Sequence, residues 1–231
     1  EAEVSSESAY CTNKLGPKLL GIACANSQTP LLHLSTDYVF DGNTKIPYAE
    51  DMKACPIGTY GKTKLGGEEA IRAHLYEHVI LRLSGVFSGY SNCFPRSILK
   101  GALKNKELTI VNDQITGPTS ADAIALVLDL MARKILGGNW TWGTYHFSQQ
   151  PYLSWYEFGL MVIAIAQQMD CRFLNTKIRP TNSDEFSALA PRPKYACLDS
   201  SKLLGELRMD FSVLSRERDL TEAIRQIIQQ L

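Results

Sequence analysis

The chain has no apolar run approaching the ~20 residues that a membrane-crossing helix needs, and no charge of either sign predominates, since Lys+Arg and Asp+Glu both number 24. The first absence argues against a membrane partner. The second removes the basic stripe that marks a nucleic-acid binder, so any anionic ligand must be held locally. The six cysteines, at 11, 24, 55, 93, 171 and 197, include no Cys-x-x-Cys pair and no Cys/His cluster. Their scatter argues against a disulfide framework and a structural zinc site, and it suits a reducing compartment. The opening "EAEVSSESAY" is acidic and polar, the opposite of a secretory signal. A cytoplasmic protein is the expectation.

One further absence bears on function. A doubly wound nucleotide-binding sheet normally opens with a strand, a glycine-rich turn and a helix, whose backbone N–H groups approach a pyrophosphate. Residues 1–30 contain no such turn, Gly66-Gly67 fall inside a helical pattern and Gly137-Gly138 follow one. The sequence is therefore expected to lack an upstream portion of the sheet.

The rest of the chain alternates strand-like and helix-like segments. Apolar spacing over 10–25 suits a helix, although Gly16 and Pro17 interrupt it, and "LLHLST" at 31–36 suits a buried strand. Helices are expected at 59–77, 95–104, 120–135 and 154–168, with strands at 78–84, 107–111 and 143–148. This alternation argues for an α/β fold, a parallel sheet with helices on both faces. The last third is rich in Pro, Ser and charge and closes on the amphipathic "RERDLTEAIRQIIQQL". It is expected to form a smaller lobe. The resulting division places a nucleotide-binding domain at 1–88 and 107–148 and a substrate lobe at 89–106 and 149–231.

The chemistry concentrates in two stretches, "STDYVFDG" from Ser35 and "YGKTKLGGE" from Tyr60. Tyr60 and Lys64 are four apart, on one face of a helix. A free tyrosine, with a pKa of about 10, is a poor acid-base catalyst at neutral pH, but a nearby ammonium favours the phenolate. Ser35, Thr36 and Asp37 end a strand, and open α/β sheets bind ligands at the carboxyl ends of their strands. A hydroxyl there can bond the oxygen of a reacting carbonyl. The alternative for both stretches is a strand end, a loop and a helix start with a solvated lysine.

The blocks "LSTDYVFDG", "PYAEDMKACPIGTYGKTKLGGEEA", "LRLSGVF", "IVNDQITGPTSAD", "GTYHFS" and "RPKYACLDSSKL" resemble, in order and spacing, the dTDP-4-dehydrorhamnose reductases of the extended short-chain dehydrogenase/reductases. The resemblance implies a Rossmann-like fold and reduction of the C4 ketone of dTDP-4-dehydro-L-rhamnose to dTDP-L-rhamnose, a precursor of cell-surface polysaccharide. It implies that Tyr60 donates a proton to the sugar oxygen as hydride arrives. Lys64 would hold the nicotinamide ribose and lower the tyrosine pKa, with Ser35 beside the cofactor. Thr36 would orient the carbonyl and Asp37 would lie beside the sugar. NADPH and NADH both remain open, because the residue that reads the ribose 2′ position is expected upstream.

Two departures stand out. Gly85 occupies a place where the family usually carries a tryptophan against the sugar nucleotide, which leaves substrate identity open. Thr116 occupies a usual glycine position, with Gly117 one place later, as in a different turn solution. Asn92 and Phe94 are candidates for sugar-nucleotide contact, and Arg192 for a bidentate hold on a diphosphate. His74 and His78 are four apart but lack the surrounding motif of a metalloprotease, so no metal is expected. Trp140, Trp142 and Trp155 are read as packing residues. Two other functions stay open: a non-catalytic regulatory subunit like that of methionine adenosyltransferase, and a reductase or epimerase of another nucleotide sugar. A homodimer is the protein partnership considered.

Overall fold

The computed structural model describes residues 1–185, 190–209 and 217–231. Parts of the expected carboxyl-terminal lobe, at 186–189 and 210–216, lie outside the described residues. The helical pattern at 10–25 divides into α1 (Ser6–Tyr10), a π turn (Cys11–Leu15) and α2 (Gly16–Asn26). Pro17 has no N–H to return to the carbonyl four residues back, and the chain widens just ahead of it. Strand β1 (Leu31–Thr36) leads through a 3-10 turn (Asp37–Val39) and a loop to α3 (Thr59–His74) and β2 (His78–Leu83). Short β3 (Val86–Phe87) precedes α4 (Phe94–Lys104), β4 (Glu107–Val111), β5 (Ile115–Thr116) and β6 (Thr119–Ser120). Next come α5 (Ala121–Leu136), β7 (Gly143–Phe147), β8 (Leu153–Ser154) and α6 (Trp155–Met169). The described residues end with β9 (Lys177–Thr181), β10 (Tyr195–Ala196), α7 (Ser201–Leu207) and α8 (Glu217–Gln229).

Strands β1, β2 and β7 form a parallel sheet in that order, with Thr36 beside Leu83 and Leu83 beside Phe147. Every residue of the central β2 is buried. Side chains alternate across a strand, and the two faces differ accordingly. Val79, Leu81, Leu83, Tyr145 and Phe147 pack against α5 and α7. Arg82 and His146 turn to the opposite face, where Arg82 meets Glu68 of α3. Helices therefore cover both faces of a parallel sheet, as the alternation of elements predicts.

A second core gathers α4, α6 and α8 around Leu99, Phe158, Val162 and Ile224. Here the structure departs from the expected boundary. Glu107–Val111, placed with the main sheet, instead pairs in parallel with Lys177–Thr181, because its buried Ile110 meets the apolar face of this second core through Gly159 of α6. β10, β5 and β8 make a third small sheet. Tyr48 joins the loop after β1 to the segment after β10, its N–H donating to Cys197 O at 2.9 Å.

Candidate active site

Strand β1 ends on two buried hydroxyl residues, Ser35 and Thr36, followed by buried Asp37. Thr36 Oγ1 accepts from Tyr38 N at 3.2 Å and so caps the 3-10 turn. Helix α3 begins one residue before Tyr60 and presses on this turn so closely that a Cβ at Gly61 would lie 2.0 Å from Tyr38 O. Only glycine allows that approach. The contact sets the Tyr60 ring edge-on to Tyr38, with ring centres 6.0 Å apart, and brings its phenol into hydrogen bonding with Thr36. One helical turn on, Lys64 Nζ donates to Leu34 O of β1 at 2.7 Å.

These groups line a cavity of about 410 Å³ at the carboxyl ends of β1 and β2. Ser35, Thr36, Asp37, Tyr60, Lys64, Gly85 and Phe94, all singled out in the sequence, lie on its wall. Arg192 does not. It lines an adjoining cavity of about 270 Å³ that shares Tyr38 and Tyr60. Asn92 is exposed in the turn before α4 and lines neither cavity. Sequence reasoning missed Gln114, Thr116, Pro193 and Ala196 as wall residues. It also read Trp155 as packing alone; its ring stands 4.6 Å from that of Phe94 and also faces the cavity. The blocks around Gln114 and Ala196 were visible as motifs, but the pairing of β5 with β10 that brings them together was not. His74 and His78 each turn Nδ1 to a backbone carbonyl, of Ala70 and Leu75. Among the described residues no His/Cys/Asp/Glu group has metal-holding geometry. Trp140 and Trp142 pack on the core between the sheet, α5 and α7.

The electrostatics of the site differ from the expectation that Lys64 lowers the Tyr60 pKa. Burial pushes the phenol up, and nearby Asp37 pushes the same way, against the hydrogen bond with Thr36. Lys64 has its own ammonium disfavoured by burial, with Glu68 opposing that shift. Burial, with Asp37 behind it, sets the direction of the Tyr60 shift. Behind the wall, Glu68 is wholly buried and accepts Arg82 bidentately, at 3.0 and 2.7 Å, and Arg72 at 2.7 Å. Ser35 Oγ donates to the same carboxylate at 2.5 Å. This holds the pKa of Glu68 down although burial, the largest influence, works against it. Burial raises Asp37 to about 6, the hydroxyls around it offsetting part of that rise.

The arrangement suits a nicotinamide cofactor. The ammonium of Lys64 uses one hydrogen on Leu34 O and has others to offer ribose hydroxyls, and Tyr60 and Thr36 share the same wall.

The profile of the RmlD substrate binding domain matches residues 1–230. A dTDP-4-dehydrorhamnose reductase of Sinorhizobium fredii is 36% identical over 205 residues, spanning 88% of this chain and 69% of that protein. The crystal structure of a dTDP-4-dehydrorhamnose reductase from Clostridium acetobutylicum superposes with a TM-score of 0.87 at 31% identity, over 100% of this chain and 76% of that one. A Bacillus anthracis dTDP-4-dehydrorhamnose reductase crystallised with NADP gives a TM-score of 0.81 at 26% identity, with 100% and 76% covered. The chain belongs to the dTDP-4-dehydrorhamnose reductase family, and it is an NAD(P)H-dependent oxidoreductase.

Proposed function

We propose that this protein reduces the C4 ketone of dTDP-4-dehydro-L-rhamnose to dTDP-L-rhamnose, a precursor for cell-surface polysaccharide. The observation that carries this reading is the convergence of Thr36, Tyr60 and Lys64 on one cavity at the carboxyl ends of parallel strands. A reduced nicotinamide supplies the hydride that the ketone carbon takes. Tyr60 then gives its phenolic proton to the resulting alkoxide, with Thr36 holding that oxygen in place. Lys64 grips the ribose with the ammonium hydrogens that Leu34 O leaves free. Phe94 and Trp155 offer an apolar wall to the sugar nucleotide. Arg192, in the adjoining cavity, reaches toward its diphosphate.

In this reading the sheet of β1, β2 and β7, with α3, α5 and α7, carries the cofactor side of the site, and α4, α6 and α8 with β4 and β9 form the sugar-nucleotide lobe. NADPH is the preferred reductant, supported by the NADP-bound relative from Bacillus anthracis.

The test is NADPH oxidation by the complete gene product with dTDP-4-dehydro-L-rhamnose, alongside Tyr60→Phe. The variant is expected to lose ~10²–10⁴-fold in turnover, the usual contribution of a positioned proton donor, while NADPH binding persists. Equal turnover without the hydroxyl would remove Tyr60 from its role. Turnover only with another nucleoside-diphosphate sugar would keep the chemistry and replace the substrate. NADPH binding without turnover of either would favour a regulatory protein.

A further inference from the structure

Gln114 combines a fixed backbone with an unused side chain. Ser154 Oγ donates to Asn112 Oδ1 at 2.8 Å, Ser183 donates to both carboxylate oxygens of Asp113 at 2.9 and 2.6 Å, and Ile115 N donates to Lys194 O at 2.8 Å. The Gln114 carbonyl accepts from Trp155 N at 3.2 Å. The chain is thus tied down on both sides of Gln114. Its side-chain amide, by contrast, has no hydrogen-bond partner among the described residues. Gln114 is 8% exposed and lines the larger cavity. Among the described residues, the enclosed side-chain nitrogens and oxygens without a partner are His33 Nε2 and Trp140 Nε1. The Gln114 amide is therefore not sealed in the protein, and it opens on the cavity.

A carboxamide held away from bulk water without a partner costs free energy that a ligand recovers by pairing with it. The group is uncharged, with two hydrogens to donate and an oxygen to accept. It matches neighbouring hydroxyls, which also donate and accept, better than a phosphate, whose strong partners are cations. Trp155, bonded to Gln114 through the backbone, and Phe94, with ring centres 4.6 Å apart, set an apolar surface beside it. A pyranose ring has the same two characters, C–H faces and a hydroxyl rim.

We propose that Gln114 reads the hydroxyls of a sugar ring lying against Phe94 and Trp155, and so helps to set which nucleotide sugar the site accepts. Other polar side chains on the wall are already engaged. Thr116 bonds Ser84, Ser35 donates to Glu68, and Lys64 donates to Leu34 O. Resting on the reductase reading, this role makes Gln114 a contact for the ring hydroxyls, while the reacting oxygen stays with Thr36 and Tyr60.

The experiment is titration calorimetry of the complete gene product with NADPH bound, comparing dTDP-L-rhamnose with dTDP, which carries the base and phosphates but no hexose. In Gln114→Leu the affinity for dTDP-L-rhamnose should fall roughly 5–150-fold, the effect of leaving a buried hydroxyl unpaired, while the affinities for dTDP and NADPH hold. Should Gln114→Leu fail to fold, Gln114→Met, unbranched like glutamine, gives the same comparison. An equal loss for dTDP would move the amide to the base or the phosphates, and no loss for either ligand would leave it without a role; each result overturns the proposal. UDP-D-glucose and UDP form a second pair. If the wild type prefers UDP-D-glucose to dTDP-L-rhamnose, and Gln114→Leu weakens UDP-D-glucose but not UDP, the role of Gln114 stands while the substrate of the reductase reading fails. A wild type that binds neither sugar nucleotide more tightly than its bare diphosphate overturns the role of Gln114 as well.

Discussion

Gly85 and Thr116 face each other across the cavity wall: a Cβ at Gly85 would stand 2.9 Å from Thr116 Oγ1 and 2.8 Å from Gly117 O. The two positions at which the sequence departs from the family pattern are thus one packing unit. The small residue at 85 leaves room for the hydroxyl at 116, which bonds Ser84. Gly85 also sits at φ +54°, in the left-handed region. Gly85→Ala should destabilise the protein by about 1–2 kcal/mol from the backbone alone, measurable by urea unfolding. Adding Thr116→Gly should recover part of the loss, because the side-chain contact disappears while the one to Gly117 O remains. Strict additivity of the two changes would show that the positions are independent.

A second prediction concerns Gly61, where the space for a side chain is smaller still. Gly61→Ala would set a methyl 2.0 Å from Tyr38 O and 2.9 Å from Pro56 Cβ, so α3 must move off the turn and carry Tyr60 with it. Turnover should fall at least ~10²-fold, the effect of small misplacements at a reacting centre, with far-UV circular dichroism unchanged. Wild-type turnover in Gly61→Ala would mean that the helix start tolerates the shift.

The difference between these glycines shows what the sequence discloses. Tyr60, Lys64 and Thr36 were legible because helix and strand periodicity fix which side chains share a face, and strand ends mark where ligands sit. The long helices and the strands β1, β2, β4 and β7 came through for the same reason, whereas the short β3, β5, β6, β8 and β10, and β9, did not. Long-range pairings were not legible. Nothing local in "ELTIV" says that it joins Lys177–Thr181 rather than the main sheet. Nor does anything in "RLSG" or "DQITG" say that Gly85 and Thr116 touch. Arg192 could be named as a cation for phosphate, yet its place in the adjoining cavity depends on how residues 190–193 come to lie beside Gly58 and the first turn of α3.

A third prediction follows from the buried carboxylate behind the wall. Glu68→Gln keeps the shape but removes the charge that Arg82, 3% exposed, relies on. Breaking a buried pair by changing one partner costs about 3–5 kcal/mol, since the remaining ion is left uncompensated. Urea midpoints of Glu68→Gln and of the double variant Glu68→Leu/Arg82→Met give the check. The double variant should be the more stable of the two, because it leaves no lone ion inside. If the single variant is no less stable than the wild type, solvent must reach Arg82.

The last prediction is a pH dependence of stability. His146 is wholly buried. Its Nδ1 lies 2.8 Å from Tyr48 O and so carries the hydrogen, while Nε2 accepts from Arg82 at 3.3 Å. Both partners require the neutral ring, and burial, followed by the Arg82 charge, lowers its pKa to about 3. In the unfolded chain a histidine titrates near 6.5. Between those values the unfolded state binds the extra proton, so the stabilisation is complete above about pH 6.5 and drains away as pH falls toward 3, by at most ~1.4 kcal/mol per pH unit. His33, lowered to about 4 by burial and then by Lys64, adds to the same limb. Asp37 acts oppositely, since its raised pKa favours the fold at low pH and loses that effect as pH rises from about 3.8 to about 6. Histidine losses should therefore dominate below pH 6, two groups against one. His146→Asn, whose amide can still donate to Tyr48 O, should be less stable at neutral pH and show a shallower fall in urea midpoint between pH 6.5 and 4. An unchanged slope would mean that His146 already carries its proton in the folded protein.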